Sequence, residues 1–323
     1  MSNVGLKNKV LSLSPYIEIF VRNLYWKNSK LISKLVKKSN ISKEEDKIQD
    51  FTKVLDYLNR EGIGKGNLMV LHSSYEALDN TKLSPKQLID ELLMFIGDEG
   101  TLAMNSARKF KEENPNEYLT QKFENTIVNY DLKKSKVWTG ALPLFFLRNK
   151  NVQISKFPIN PMIAVGNLAK EMMVNNLNGD LKACGKGSSW EFCVDNNAVI
   201  VGLGIDLTHS LTIMHVAEDA NPNWPIKDWY RKRKYNVIDE SNESHLIEVL
   251  ERNPKWGALH FAERTLCKDL ISNNILKVFN IDGLDIEYLY AKDLINFLNS
   301  KNSKGYPYFN FKQNDFDDRI IKK

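Results

Sequence analysis

A chain of 323 residues, 42% of them apolar and 26% charged, can bury a large core as one sizeable domain or two modest ones. No apolar run approaches the roughly 20 residues that span a bilayer, and nothing reads as a cleavable leader, so a cytoplasmic protein is expected. Cys184, Cys193 and Cys267 are an odd, unpatterned set that forms neither a disulfide framework nor a metal site, and they read as packed thiols. The net charge of +5 averages two unlike parts: residues 1–43 hold nine basic side chains against Glu18 alone, and the remainder holds 36 basic and 39 acidic ones.

Residues 1–48 read as a basic amphipathic helical extension. The apolar clusters Val10-Leu-Ser-Leu13, Tyr16-Ile-Glu-Ile-Phe20 and Leu31-Ile-Ser-Lys-Leu-Val36 are interleaved with lysines. Such a segment packs on the body, on a second copy of the chain in a homodimer, or on the anionic inner face of a membrane, through residues 1–43 as a peripheral contact. No aromatic–basic RNA motif accompanies it, so nucleic acid is not expected as a partner. Ser42 and Glu45 then form a capping box for a helix carrying Ile48, Phe51, Val54, Leu55 and Leu58, which Gly62–Gly66 ends.

Asn67–His72 is a buried strand, and Ser73 and Ser74 follow it where a turn into a helix is expected. Ser84 as N-cap with Pro85 behind it opens a helix through Leu88, Leu92 and Phe95, and Thr101–Met104 is a second strand. This alternation predicts the α/β class. Residues 106–136 are polar with little periodicity and predict a long loop or lid. Further on come a helix from Gly140, a strand at Met162–Gly166, a helix through Met172, and a buried strand at Ala198–Gly204 running into a glycine turn. The last hundred residues predict helices around 243–251 and 258–274, a strand at Ile286–Tyr290 and a final helix at Ala291–Leu298. No repeat or low-complexity linker divides residues 49–323, which read as one domain.

Thr212, His215 and Glu218 stand three residues apart just beyond the Ala198–Gly204 strand, spaced to share one helical face. A carboxylate one turn from an imidazole fixes its tautomer and raises its basicity, as a general base near neutral pH requires. The same spacing also occurs in ordinary surface pairs. Position after a buried strand, where open α/β sheets carry their sites, favours the functional reading.

Six segments extend the pattern: Leu68-Met-Val-Leu-His-Ser-Ser74, Gly97-Asp-Glu-Gly-Thr-Leu-Ala-Met104, Gly140-Ala-Leu142, Ser155 to Gly166, Gly185-Lys-Gly-Ser-Ser-Trp190, and Val199 to Asp206 running on to Glu218. In this order they resemble the aminoglycoside 3-N-acetyltransferase family. The resemblance implies a central mixed sheet flanked by helices, with the N-terminal helical arm as an addition. It implies an acetyl-coenzyme A-dependent N-acetyltransferase needing no metal. His215 takes the family's role of base toward the acceptor amine, Glu218 that of its partner, and Thr212 that of a hydroxyl near the thioester carbonyl. Ser73 and Ser74 match the family's coenzyme A contacts, and Ser188 and Ser189 a glycine–serine loop beside the cofactor. An amine attacks only when neutral, so a positioned base suffices and no covalent enzyme intermediate is needed.

The departures fall on the acceptor side. Phe157 stands where the family has a histidine before proline, Pro161 where a serine is common, and residues 106–136 and 1–43 differ from the resistance enzymes. A polycationic aminoglycoside wants an acidic cleft, whereas Lys133, Lys134 and Lys136 make this stretch basic. The expected acceptor is therefore a cellular amino sugar, nucleotide-linked in one version, with an aminoglycoside antibiotic as the alternative. A non-catalytic binding protein that kept the fold is the third reading, and the intact Thr212–His215–Glu218 set opposes it.

Overall fold

A computed structural model of the chain describes residues 6–35, 48–123, 125–174, 177 and 180–310. In chain order the strands are β1 (Leu68–Ser73), β2 (Thr101–Asn105), β3 (Arg108–Lys109), β4 (Ile127–Asp131), β5 (Lys136–Val137), β6 (Gln153–Ile154), β7 (Met162–Gly166), β8 (Val199–Leu203), β9 (Tyr230–Ile238), β10 (Ser244–Arg252), β11 (Lys277–Ile281) and β12 (Leu284–Tyr290). The helices are α1 (Leu6–Leu11), α2 (Pro15–Leu35), α3 (Phe51–Arg60), α4 (Pro85–Ile96), α5 (Ala141–Phe146), α6 (Ala169–Met173), α7 (Ser189–Asp195), α8 (Leu207–Ser210), α9 (Val216–Asp219), α10 (Glu263–Ser272) and α11 (Ala291–Lys301).

A seven-stranded mixed sheet runs β11-β12-β8-β1-β2-β7-β6. Its centre, β8-β1-β2, is parallel, and β12 and β7 flank it antiparallel. The period-two geometry of a strand sends alternate side chains to opposite faces. Leu68 and Val70 of β1 accordingly enter one core, shared with α6, α7, α10 and α11, while Met69 and Leu71 enter the other, shared with α3 and α4. Both faces are covered, which is why these strands read as unbroken apolar runs. The C-terminal ends of β1, β2 and β8 lie together at one edge, and the turns after β1 and β8 touch there: Ser74 N–H donates to Leu203 O at 3.0 Å. Gly204 makes this approach feasible, with φ +63° and a position where a Cβ would sit 2.3 Å from that of Ala77.

Two segments differ from the sequence expectation. Residues 106–136 are no open lid: β4 joins β9 and β10 in a second, three-stranded sheet, and Phe110, Phe123, Val128 and Tyr130 are buried in a core of its own with Tyr235 and Val249. Residues 244–252 form the strand β10 rather than a helix around 243–251. Glu248 and Glu251 are spaced for either structure, and the basic strand beside them decides: Arg231 is directly opposite Glu251 and pairs with it at 2.6 Å, while Lys232 holds Glu248 at 3.0 Å.

The expected capping residues Ser42 and Glu45 lie outside the described residues. Ile48 to Asp50 are not helical, and α3 starts at Phe51, where the Asp50 carboxylate accepts the Thr52 N–H. Ser84 caps α4 with a complete capping box closed by Gln87. In the N-terminal segment α2 lies along α10 and the turn Trp256–His260. Ile19 is fully buried, Glu18 accepts the Arg264 N–H at 2.9 Å, Arg22 meets Glu263 at 2.8 Å, and Asn23 donates to Leu259 O at 3.0 Å.

Candidate active site

Thr212 to His215 form one 3₁₀ turn, and α9 continues from Val216 to Asp219, so the three predicted residues straddle two short helical pieces instead of one α-helix. In a 3₁₀ turn side chains at i and i+3 eclipse, which stacks Thr212 over His215. Ile213, Met214, Val216 and Ala217 are buried in the core and hold the backbone from below. Asn302 donates to Ala217 O at 3.2 Å and Lys182 to Asp219 O at 2.9 Å, so α9 is fixed at its end as well.

His215 Nδ1 lies 2.9 Å from Glu218 Oε2. Burial alone would raise the Glu218 pKa, but His215, Arg252 and the Tyr308 hydroxyl outweigh it and hold the carboxyl below its usual range. An ionised carboxylate only accepts, so Nδ1 carries a proton, and in the neutral ring the lone pair is on Nε2. That nitrogen has no protein partner among the described residues. The side chain stays 17% exposed against 3% for Glu218, so the ring can be reached and its carboxylate cannot.

Three further residues complete the arrangement, and the sequence did not point to them. Tyr308 donates to Glu218 Oε1 at 2.7 Å, and Arg252, at the end of β10, bonds the same Tyr308 oxygen. Both Glu218 oxygens are thus satisfied inside the protein. Arg252 Nη1 is also 3.3 Å from His215 Nδ1; two donors face each other there, so the guanidinium acts as a neighbouring charge that compensates Glu218. Asn105 closes β2 at the same sheet edge and donates to the Thr212 hydroxyl at 3.2 Å. Its one sequence signal was a polar residue directly after a buried strand. Arg252 and Tyr308 carry none, because they lie 37 and 90 residues from the groups they serve. Asp219 faces away, holding Tyr230 OH at 2.7 Å and Cys184 N–H at 3.0 Å.

The serine candidates separate. Ser73 ends β1 half-buried, and Ser74 turns the chain beyond it, both at the edge that carries Asn105 and Gly204. Ser188 is the N-cap of α7 and accepts the Glu191 N–H at 3.1 Å. Ser189 is 3% exposed and donates to Met172 O at 3.0 Å, which ties α7 to α6. No hydrogen bond joins the two serine pairs among the described residues. His72 is buried beside them with Nε2 unpartnered, and burial pulls its pKa down to about 4.

A cavity of about 440 Å³ opens between the second sheet and residues 107–123. His215 is not in its wall; Glu251 is, one residue before Arg252, and Trp138 stands over it 67% exposed. Its charged lining is Arg108, Lys109, Arg231 and Arg233 against Glu113 and Glu251. Phe157, noted as a departure, is buried in the core of the second sheet. One group has ligand-like spacing among the described residues, Asp239, Glu243 and His245 at the β9–β10 turn. There Asp239 accepts the Ser241 and Glu243 N–H groups and pairs with Lys156, as a turn staple does.

The sequence model of the aminoglycoside 3-N-acetyltransferases matches residues 70–300. The chain belongs to that family. Aminoglycoside N(3)-acetyltransferase III of Serratia marcescens is 26% identical over 227 residues, covering 69% of this chain and 76% of the relative. Among solved structures, aminoglycoside acetyltransferase AAC(3)-IIb superposes with a TM-score of 0.62 at 20% identity, covering 80% of this chain and 99% of that one. AAC-IIIb, solved as a binary complex with CoASH, gives 0.61 at 17% identity over 80% and 98%. Family membership makes the protein an acetyl-coenzyme A-dependent N-acetyltransferase, and the mixed sheet flanked by helices is the fold the resemblance implied. The match begins inside β1, so the helical arm lies outside it.

Proposed function

We propose that His215 removes the proton of an acceptor amine as its nitrogen attacks the acetyl carbon of acetyl-coenzyme A. The observation that carries this is the 2.9 Å His215–Glu218 pair with Nε2 unpartnered. As the N–C bond forms, the carbonyl π pair moves onto oxygen, and the Thr212 hydroxyl, which accepts from Asn105 and turns its proton away from a long 3.4 Å bond to Ser210 O, is the donor for that oxyanion. Collapse expels the coenzyme A thiolate, which takes up the proton that His215 received. Ser73, Ser74 and Ser188 offer hydroxyls to coenzyme A, whereas Ser189 is engaged in packing. The cosubstrate is made and used inside cells, so the cytoplasm is the proposed location.

The relatives, named as aminoglycoside acetyltransferases, favour an aminoglycoside as the acceptor, the reading placed second on sequence alone. A cellular amino sugar bearing a phosphate is supported by one observation. Four cationic against two carboxylate side chains line the cavity, and that balance repels a polycation. Thiol release from acetyl-coenzyme A, measured against aminoglycosides and nucleotide-linked amino sugars, separates the two. His215→Ala is expected to lower kcat by about 100- to 10,000-fold while acetyl-coenzyme A still binds. An unchanged rate in that variant would remove His215 as the base, and no thiol release from the wild type with any acceptor would favour the non-catalytic reading.

A further inference from the structure

Eighteen large apolar side chains stand exposed among the described residues, and eight of them fall between Val10 and Tyr25. Ile17, Phe20, Val21 and Leu24 recur at three- and four-residue spacing along α2, with exposures of 39 to 57%, and Leu13 just before it reaches 71%. The other side of the helix, carrying Glu18, Ile19, Arg22 and Asn23, faces the body. An apolar stripe left facing water on a helix already packed behind calls for a cover.

Charge decides what the cover is. Residues 1–43 contain eight lysines, Arg22 and one acid, Glu18. Glu18 is 2% exposed and is consumed by the Arg264 N–H and Arg22, and Arg22 is held by Glu263. Two copies paired through this stripe would bring two sets of eight lysines together, with no free acid among residues 1–43 to answer them. An anionic lipid surface answers a segment of that net charge. Phe20 and Tyr25 on the exposed side also suit the depth of a headgroup layer. No helix among the described residues is long and apolar enough to cross a membrane, so the contact lies in the plane of the surface. We propose that the outer face of α2 docks this acetyltransferase onto an anionic bilayer, drawn there by the net positive charge of residues 1–43. Trp26 stacks on Tyr118 at 6.0 Å, and Tyr118 lines the cavity of the second sheet, so docking sets that cavity close to the lipid surface.

The test is co-sedimentation of the full chain with vesicles of phosphatidylcholine alone and of phosphatidylcholine mixed with phosphatidylglycerol, alongside acetyl transfer and sedimentation velocity. The wild-type chain is expected to pellet with the mixed vesicles only, and to be released by salt. Leu13→Glu/Phe20→Glu and, separately, Lys27→Glu/Lys30→Glu should each weaken pelleting by about tenfold or more with acetyl transfer unchanged. The lysine pair guards against an unfolded apolar variant. Absence of pelleting with the mixed vesicles would overturn the proposal. So would a dimer that Leu13→Glu/Phe20→Glu dissolves while vesicle binding persists, since the stripe would then serve a second copy.

Discussion

The base proposed for this protein is made of more than its two obvious atoms. Glu218 orients His215 only because its second oxygen is held by Tyr308 and its charge is balanced by Arg252. Removing the Tyr308 hydroxyl leaves a buried carboxylate oxygen and a guanidinium N–H without a partner, each costly away from water. Tyr308→Phe is therefore expected to lower stability by about 1–3 kcal/mol in urea titration. It should also lower kcat several-fold with the KM for acetyl-coenzyme A unchanged, because the ring is positioned and not touched. A raised KM with unaltered kcat would assign Tyr308 to binding instead.

At the scale of elements, the site depends on how closely the turns after β1 and β8 approach. Gly204 has both a left-handed φ and no room for a side chain against Ala77, so relief at one would not relieve the other. Gly204→Ala is expected to destabilise the fold by about 2 kcal/mol or more and to weaken coenzyme A binding by moving Ser74, which that same contact holds. Thermal melting with and without acetyl-coenzyme A reads both effects. A variant that melts like the wild type would show that the two turns separate freely. The second sheet illustrates the same scale: β4 and β10 are weak strands alone, and the basic strand β9 between them pairs with both.

In the whole molecule the N-terminal arm is joined to the body by the buried cluster of Glu18, Arg22, Glu263 and Arg264. Burial works against the Glu263 charge, but His209, Arg264 and Arg22 prevail and draw its pKa down from 4.5 to about 2. A carboxyl whose folded pKa lies below its unfolded one contributes stability that is fully present above about pH 4.5 and is lost as pH falls toward 2. This group accounts for about 3 kcal/mol by that linkage. Glu263→Gln should flatten the acid limb of the stability curve between about pH 4.5 and 2, and should raise proteolysis of the arm at neutral pH. An acid limb identical to that of the wild type would place the arm's attachment elsewhere.

Much of this was legible beforehand. Unbroken apolar runs bounded by glycine and serine marked β1, β2, β7 and β8, since a strand covered on both faces must be apolar throughout. Ser84 marked α4 through its local cap. The Thr212–His215–Glu218 spacing was readable because all three lie within two turns of chain, where sequence distance and spatial distance agree. The second sheet was not: β4 pairs with a strand some hundred residues away, and its Val128 and Tyr130 are too few to stand out in a polar stretch. Nor were Arg252, Tyr308 and Asn105, whose roles come from elements meeting at one sheet edge. The residue types and local spacings were enough to determine the α/β class and the contact between His215 and Glu218. Only the tertiary structure decided which charges compensate Glu218, what walls the cavity, and which face of the arm is left uncovered, because those depend on contacts between segments far apart in the chain.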